Sequence, residues 1–516
     1  MPVVQQGQIN TNSLFVPDVY VQIVPPAQLL LNGVATNILG IVGVGSWGPV
    51  NSPVTVGNPT DAVLNFGSVK NRKYDLVTAC LIAIINGANN IRAVRVTDGT
   101  DAAASGVLGS TGITFTGKYT GTVGNSIVAS LAPGTAANSW RATIALPGIV
   151  PEVFDNLAVG LSGNAVWVAI AAAINGGSSG LRGPSNLVVA AAGSSTSAPT
   201  SSSVTLSGGT DGAATITGSV LIGQDSTPRK GMYALRNTGA SIAMLADCDD
   251  STTYSAQAAF ALSEGVYMIA VGPAGDTVAN AASTKATAGL DCYGVKLLLG
   301  DWILWLDTTN NVTRLISPQA SEAGFLSALS PEQSSLNKQQ QGIVGTQKST
   351  SGSGVNIYSE ADLQTLAQAG IDVIANPCPG GAYFGSRIGC NTSSNAVING
   401  DNYTRLTNYI AYSLNAGMGK YIGRLQSASV RAQALATLNA FLSNMWQQGM
   451  IGDVNNPQNQ PFSVQINAAN NPPSRVALGY MQADVTVVYQ SIITKLLINV
   501  MGGQSVQVTV ASSTPQ

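Results

Sequence analysis

The side chains that most often carry chemistry are sparse in this sequence, and one type is missing. There is no histidine. That removes Ser-His-Asp and Cys-His pairings, imidazole metal ligands and the usual general base near neutral pH. Gly176-Gly177-Ser178-Ser179-Gly180 has the G-x-S-x-G spelling of a hydrolase nucleophile. It follows a helical run inside a low-complexity loop, whereas that nucleophile needs a strand-to-helix elbow. Gly272-Pro273-Ala274-Gly275-Asp276 lies between a strand and a helix, where a phosphate loop would sit. It lacks the closing Gly-Lys-Ser/Thr and reads as an ordinary turn. Asp247-Cys248-Asp249-Asp250 gathers three carboxylates without calcium-loop spacing and reads as a solvated strand end. Cys378 and Cys390 are too isolated for a zinc site. Trp302 and Trp305, three apart in a strand-like run, are expected on opposite faces, as packing residues. No catalytic residue, cofactor or metal ligand is expected, although an enzyme working through lysine or a carboxylate needs no histidine.

Charged residues make up only 9% of the chain, with 57 glycines and a formal net charge of −2. Soluble proteins average about 25% charged. So little charge suits a surface largely covered by copies of the same chain; a β-rich secreted protein is the alternative. No run of Lys and Arg supplies the clustered basic face that nucleic acid requires. Met1-Pro2-Val3-Val4-Gln5-Gln6 lacks a basic-then-apolar secretory pattern. Neither Leu29 to Val44, broken by Asn32, Gly33, Asn37 and Gly40, nor Val485 to Val500, with Gln490, Lys495 and Asn499, reads as a membrane span. Cys80, Cys248, Cys292, Cys378 and Cys390 form no CxxC pair and fit reduced, buried thiols.

The elements that must position these residues follow from periodicity. After a polar arm, Asp18 to Val24 alternates, with Val19, Val21 and Ile23 on one face and Tyr20, Gln22 and Val24 on the other; Pro25-Pro26 ends it. Ala35 to Val44 is expected as a buried strand, Asp61 to Phe66 as a helix capped by Thr60, Tyr74 to Ile85 as a helix and Ile91 to Val96 as a strand. Residues 99–212 are rich in Gly, Ser, Thr and Ala with short alternating runs, which predicts a β-rich insertion containing one helix at Val166 to Ile174. From 213 an α/β texture returns: a helix at Thr252 to Leu262, a strand at Val266 to Val271, a helix capped by Asp276, and strands near 295, 302 and 312. Ser359-Glu360-Ala361-Asp362 reads as a capping box. Helices from Asp401 and over Ser427 to Gln448 are followed by strands at Phe462 to Ile466, Gly479 to Tyr489 and Ile492 to Val500. Ser505 to Val510 alternates strictly, with Val506, Val508 and Val510 opposite Gln507 and Thr509. A terminal strand with no successor is expected to pair with a neighbouring copy.

The expected architecture is a mixed α/β (α+β) multidomain chain. It has an arm (1–26), a first core segment (27–98), a β-rich inserted domain (99–212), a middle α/β domain (213–358), a C-terminal core segment (359–500) and a terminal arm (501–516).

An ordered series of blocks resembles the contractile tail sheath proteins of bacteriophages, in particular the group like the sheath of phage Mu. The blocks are Val16-Pro17-Asp18-Val19-Tyr20-Val21, with Asp18 where the family has glycine; Ile41 to Asn51 followed by Pro53-Val54; Gly208-Gly209-Thr210-Asp211-Gly212; and Pro228 to Arg236. Ser317-Pro318-Gln319-Ala320 with Ala323-Gly324 and Ser330-Pro331, Arg405 to Ile410, Phe441-Leu442 with Trp446 and Gly449, and Gly502 to Val508 complete the series. No block is specific alone; their order over nearly the whole chain is.

The resemblance implies a structural subunit and not an enzyme. Such subunits stack as hexameric rings around a tail tube, between a baseplate and the tail terminator and neck proteins, with no direct nucleic-acid contact and no membrane insertion. The sheath contracts from a metastable extended state and drives the tube through a bacterial envelope for genome ejection. It also implies assembly in the host cytoplasm, a place in the virion, and strand addition by Val19–Val24 and Val506–Val510 to neighbours. Because the core domain faces the tube in such sheaths, helices bearing Arg405 or Arg431 are candidates for that contact; either residue could equally be a solvated or intra-subunit charge. The sheath of a phage-derived bacteriocin or of an extracellular injection system fits the same sequence.

Overall fold

The computed structural model describes residues 3–4, 21–22, 31, 33–178, 182–348, 357–498 and 500. The chain divides into two compact units, one formed by 35–409 with the last residues of the chain and the other by 410–490 with the N-terminal segment.

The first unit is built on a six-stranded sheet. Its strands are β1 (Leu39–Gly43), β2 (Pro53–Val56), β3 (Ile91–Arg95), β4 (Ile242–Leu245), β5 (Tyr267–Val271) and β6 (Val295–Leu298), in the order β6-β5-β4-β1-β3-β2. All neighbours run parallel except β2, which is antiparallel to β3. β1, β4, β5 and β6 are buried at every position. Helices cover both faces of such a sheet, which is why these strands read as apolar runs without alternation. One sheet therefore joins strands from both α/β segments that the sequence separates, 27–98 and 213–358.

The helices between these strands start where side chains can satisfy their free N–H groups. Asn58, and not Thr60, caps α1 (Pro59–Phe66) by accepting from the Asp61 N–H at 3.0 Å. Asp75 caps α2 (Leu76–Ile85), accepting from the Thr78 N–H at 3.0 Å. After α3 (Tyr254–Glu264), Thr277 caps α4 (Val278–Thr287), one residue later than expected. Next come an antiparallel sheet of β7 (Ile303–Asp307), β8 (Val312–Ile316) and β9 (Ile343–Thr346), with α5 (Gln319–Ala328) between β8 and β9. α5 lies tight on α2: a Cβ on Gly324 would sit 2.4 Å from the Ala83 carbonyl oxygen, so only glycine permits this approach. Trp302 and Trp305 enter one apolar core instead of opposite faces. Trp302 precedes β7, so strand alternation does not govern it.

Between β3 and β4 the chain makes the expected β-rich insertion. A four-stranded antiparallel sheet (Val128–Pro133, Trp140–Ala145, Glu152–Leu157, Ser202–Thr205) and a three-stranded one (Ser105–Leu108, Ile113–Gly117, Val188–Ala192) enclose Phe115, Phe154 and Trp167, the last from the helix Asn164–Gly176. Trp47, from the loop after β1, joins this core and seats the insertion. Arg95 clamps its root, donating to the carbonyls of Gly48 at 2.9 Å, Thr120 at 2.6 Å and Asp211 at 3.2 Å.

The Ser359 capping box opens α6 (Glu360–Ala369), with Asp362 as its second member. α7 (Asp401–Met418) begins in the first unit and continues into the second. The second unit adds α8 (Ala428–Gln447) and the antiparallel pair β10 (Phe462–Gln465) and β11 (Asp484–Val487). Ala434, Leu438, Phe441, Leu442 and Met445 form the buried stripe of α8. The strand expected over Gly479 to Tyr489 shrinks to β11, behind a short helix at Pro473–Ala477. The strand expected at Ile492 to Val500 is absent: 491–498 carry no ladder pairing.

Candidate assembly surface

Each motif that could have done chemistry is committed to structure. Ser178 follows the helix Asn164–Gly176 and bridges to Arg182, with no strand leading in; Ser179 and Gly180 lie outside the described residues. The Gly272–Asp276 turn joins β5 to α4 and spends most of its hydrogen-bonding groups within the chain. The Gly275 N–H donates to Gly300, the Asp276 N–H to Pro273, and the Gly272 carbonyl accepts from the Trp302 indole at 3.1 Å. The ends of β1 and β4, where doubly wound sheets usually bind ligands, are filled by the chain itself. The Val44 N–H donates to Tyr74 at 2.8 Å, and the Leu76 N–H returns to Val44 at 2.9 Å. Asp247 is half-buried there, accepting from the Ser317 N–H at 3.1 Å and the Tyr74 N–H at 3.3 Å. Asp249 pairs with Lys73 at 2.7 Å and Asp250 caps Thr252. All five cysteines are free and buried.

The strongest concentration of charge lies inside the first unit, and no local motif announced it. Lys296 on β6 is 0% exposed. Its Nζ lies 2.7 Å from Glu322 on α5, 2.7 Å from Asp372 and 3.0 Å from Asp401 at the start of α7. Tyr267 and Ser334 donate hydroxyls to Asp401 at 2.6 and 3.0 Å, and Ser335 Oγ, with one proton to give, lies 2.5 Å from Glu322 and 3.0 Å from Asp401. Burial opposes the charge on Lys296, but its three carboxyl neighbours outweigh burial and hold its pKa well above the usual lysine value. Burial raises Glu322, against the pull of Lys296. Burial also acts to raise Asp401, yet Lys296 and the surrounding hydroxyls win and hold it below the usual range. The one sequence signal was a lone charge in an apolar strand, Val295-Lys296-Leu297-Leu298.

Arg405 belongs to this anchor and not to an outer face, contrary to the tube-facing expectation. It is 5% exposed and donates to the carbonyls of Leu329 at 2.7 Å and Ser330 at 2.9 Å. Arg431 is different. It is half-buried on α8, its Nε has no hydrogen-bond partner, and it lines a cavity of about 460 Å³ with Gln426, Leu435 and Ile466. Lys420, Arg424 and Arg431 lie in a stretch, 410–452, with no acidic residue.

The expected strand-exchange segments are described in part. Val21–Gln22 is a strand, paired in parallel with Val3–Val4 of the same chain. Val19, Tyr20, Ile23 and Val24, and the whole of Val506, Gln507, Val508, Thr509 and Val510, lie outside the described residues. Ahead of the latter, Ile493, Leu496, Leu497, Ile498 and Val500 stand between 70% and 87% exposed. In the second unit, β10 and β11 form a two-stranded sheet, with Phe462 opposite Val487, so each outer edge presents backbone groups without ladder partners.

This architecture is shared with solved structures over nearly the whole chain. It superposes on a sheath tail protein from Listeria innocua with a TM-score of 0.58 and 15% identity, over 89% of this chain and 96% of that one. A sheath tail protein from Desulfitobacterium hafniense gives 0.57 and 14%, over 87% and 93%. This is the tail sheath fold. The sheath complex of an extracellular contractile injection system, in its contracted state, also matches, at 0.54 and 11% over 95% and 98%. No protein-family model and no curated protein matches the chain. At these identities the likeness to sheath proteins is one of fold.

Proposed function

We propose that the chain is the structural subunit of a contractile tail sheath. It polymerises as stacked hexameric rings around a tail tube, stands on a baseplate below terminator and neck proteins, and contracts from a metastable extended state. The observation that carries this reading is the full-length fold likeness to sheath subunits, one of them in an assembled, contracted sheath. The exposed apolar run at 491–500 supports it: strand addition joins chains through backbone hydrogen bonds and sets register through alternate side chains. On this reading the C-terminal arm begins near 491 and includes Val506–Val510; Val19–Val24 is the N-terminal arm. Arg431 remains the candidate for tube contact. Contraction is then a switch between two packings of the same subunits, its energy stored at assembly without nucleotide.

A virion sheath of the Mu-like group is the reading favoured by the sequence blocks. The likeness to the extracellular injection system favours a second reading, the sheath of a machine without a genome to eject. Capsid and packaging genes beside the coding gene would separate the two. Negative-stain microscopy of the purified chain tests what they share: striated tubes support the sheath, and discrete particles with hydrolytic activity contradict it.

A further inference from the structure

We propose that Glu322 carries a proton at neutral pH, and that this proton makes the buried cluster around Lys296 a charge-neutral latch on the first turn of α7. The argument begins with charge. Glu322, Asp372 and Asp401 are three carboxyl groups, all 0% exposed, facing two cations, Lys296 at 0% and Arg405 at 5%. An uncompensated charge in such a site is strongly unfavourable. One protonated carboxyl makes the balance zero.

Hydrogen bonding selects which one. Asp372 accepts at both oxygens: from the N–H groups of Val373 and Ile388 at 2.7 and 2.9 Å, and from Ser386 Oγ, the Gly389 N–H and Lys296 at 2.5, 3.1 and 2.7 Å. Asp401 is similarly filled, by Tyr267 and Lys296 at one oxygen and by Ser334 and Lys296 at the other. Neither has a lone pair to spare for a proton. On Glu322, Oε1 faces Lys296 and Ser335, while Oε2 meets only the side-chain amide of Gln340, at 2.5 Å. A side-chain amide can accept as well as donate, so this contact has room for a proton on Oε2. With the Gln340 amide turned over, its oxygen accepts from protonated Glu322 and its NH₂ donates to Ser321 Oγ, 2.7 Å from the other amide atom.

The remaining titratable neighbours leave the balance intact. Tyr267 and Cys390 are pushed up by burial and stay neutral. Arg405 is lowered by burial only to about 10 and stays charged. Glu332 and Lys338, of opposite sign, both act on Arg405, and Lys285 acts on Cys390. The latch fastens one turn of helix at three points. Asp401 is held by the cluster, Thr404 donates to Tyr293 at 2.6 Å, and Arg405 donates to Leu329 and Ser330. Deprotonating Glu322 leaves the cluster with excess negative charge; protonating Asp401 leaves it with excess positive charge. Either change opens the latch.

The test uses the full-length chain and amide hydrogen exchange over 401–405. Glu322→Gln keeps neutral-pH protection and removes the alkaline loss of protection seen in the parent. Asp401→Asn and Asp372→Asn each lose roughly 100-fold or more. Isotope-labelled glutamate gives an independent reading even where a variant misfolds, because the label excludes Asp247 and Asp301. An infrared band of a protonated glutamic acid at neutral pH, lost on alkaline titration, is expected in the parent protein. A parent spectrum without that band overturns the proposal, and so does Glu322→Gln losing as much protection as Asp401→Asn.

Discussion

The cluster around Lys296 and the run at 491–500 treat their side chains in opposite ways. In the first, the charged groups are buried and meet partners within the same chain. In the second, five large apolar side chains face outward and the backbone forms no ladder. A lone chain completes the first region and leaves the second incomplete. The contrast shows that some of the few charges of a low-charge chain sit at internal junctions that hold a helix start or a domain root, as Asp401 does for α7 and Arg95 for the insertion.

The comparison can be broken by moving chemistry between the regions. Lys296→Met leaves three carboxyl groups without their shared cation. It is expected to destabilise the first unit by about 3–5 kcal/mol, read from denaturant melts. Removal of residues 491–516 should change those melts by only about 0.5 kcal/mol while abolishing polymerisation. A large loss of stability would mean that the run is part of the fold. Tyr267→Phe removes one hydroxyl from Asp401 and should cost about 1.5–3 kcal/mol. Ser359→Ala, away from both regions, removes the cap of α6 and should cost about 0.5–2 kcal/mol.

The pH profile sharpens the same contrast. The folded pKa of Asp401 is depressed, so its contribution is present above the usual aspartate range and is lost as pH falls through the depressed value. The folded pKa of Glu322 is raised, so its contribution is complete below the usual glutamate range and is lost as pH rises through the raised value. Stability of the first unit should therefore fall on both sides, and removal of 491–516 should leave both limbs in place. Thermal melts of the parent and of the 491–516 deletion across pH check this.

The sequence made the apolar parallel strands, the α8 stripe and the Ser359 capping box legible, because each is a local pattern. It hid β4: Ile242–Leu245 is four residues long and buried on both faces, so it shows neither alternation nor length. It hid the joining of 39–95 to 242–298, because the insertion separates strands that are neighbours in the sheet. The anchor was hidden for the same reason, since Lys296, Glu322, Asp372 and Asp401 come from four distant segments. The strand expected at Ile492 to Val500 has the right residues, but a strand needs a partner, and 491–498 pair with no strand of this chain.

Electron microscopy of two proteins, the full chain and the chain ending at Gln490, tests the central claim most directly. Striated tubes from the full chain, and folded single subunits from the shortened one, are the predicted result. Normal tubes from the shortened chain would contradict it.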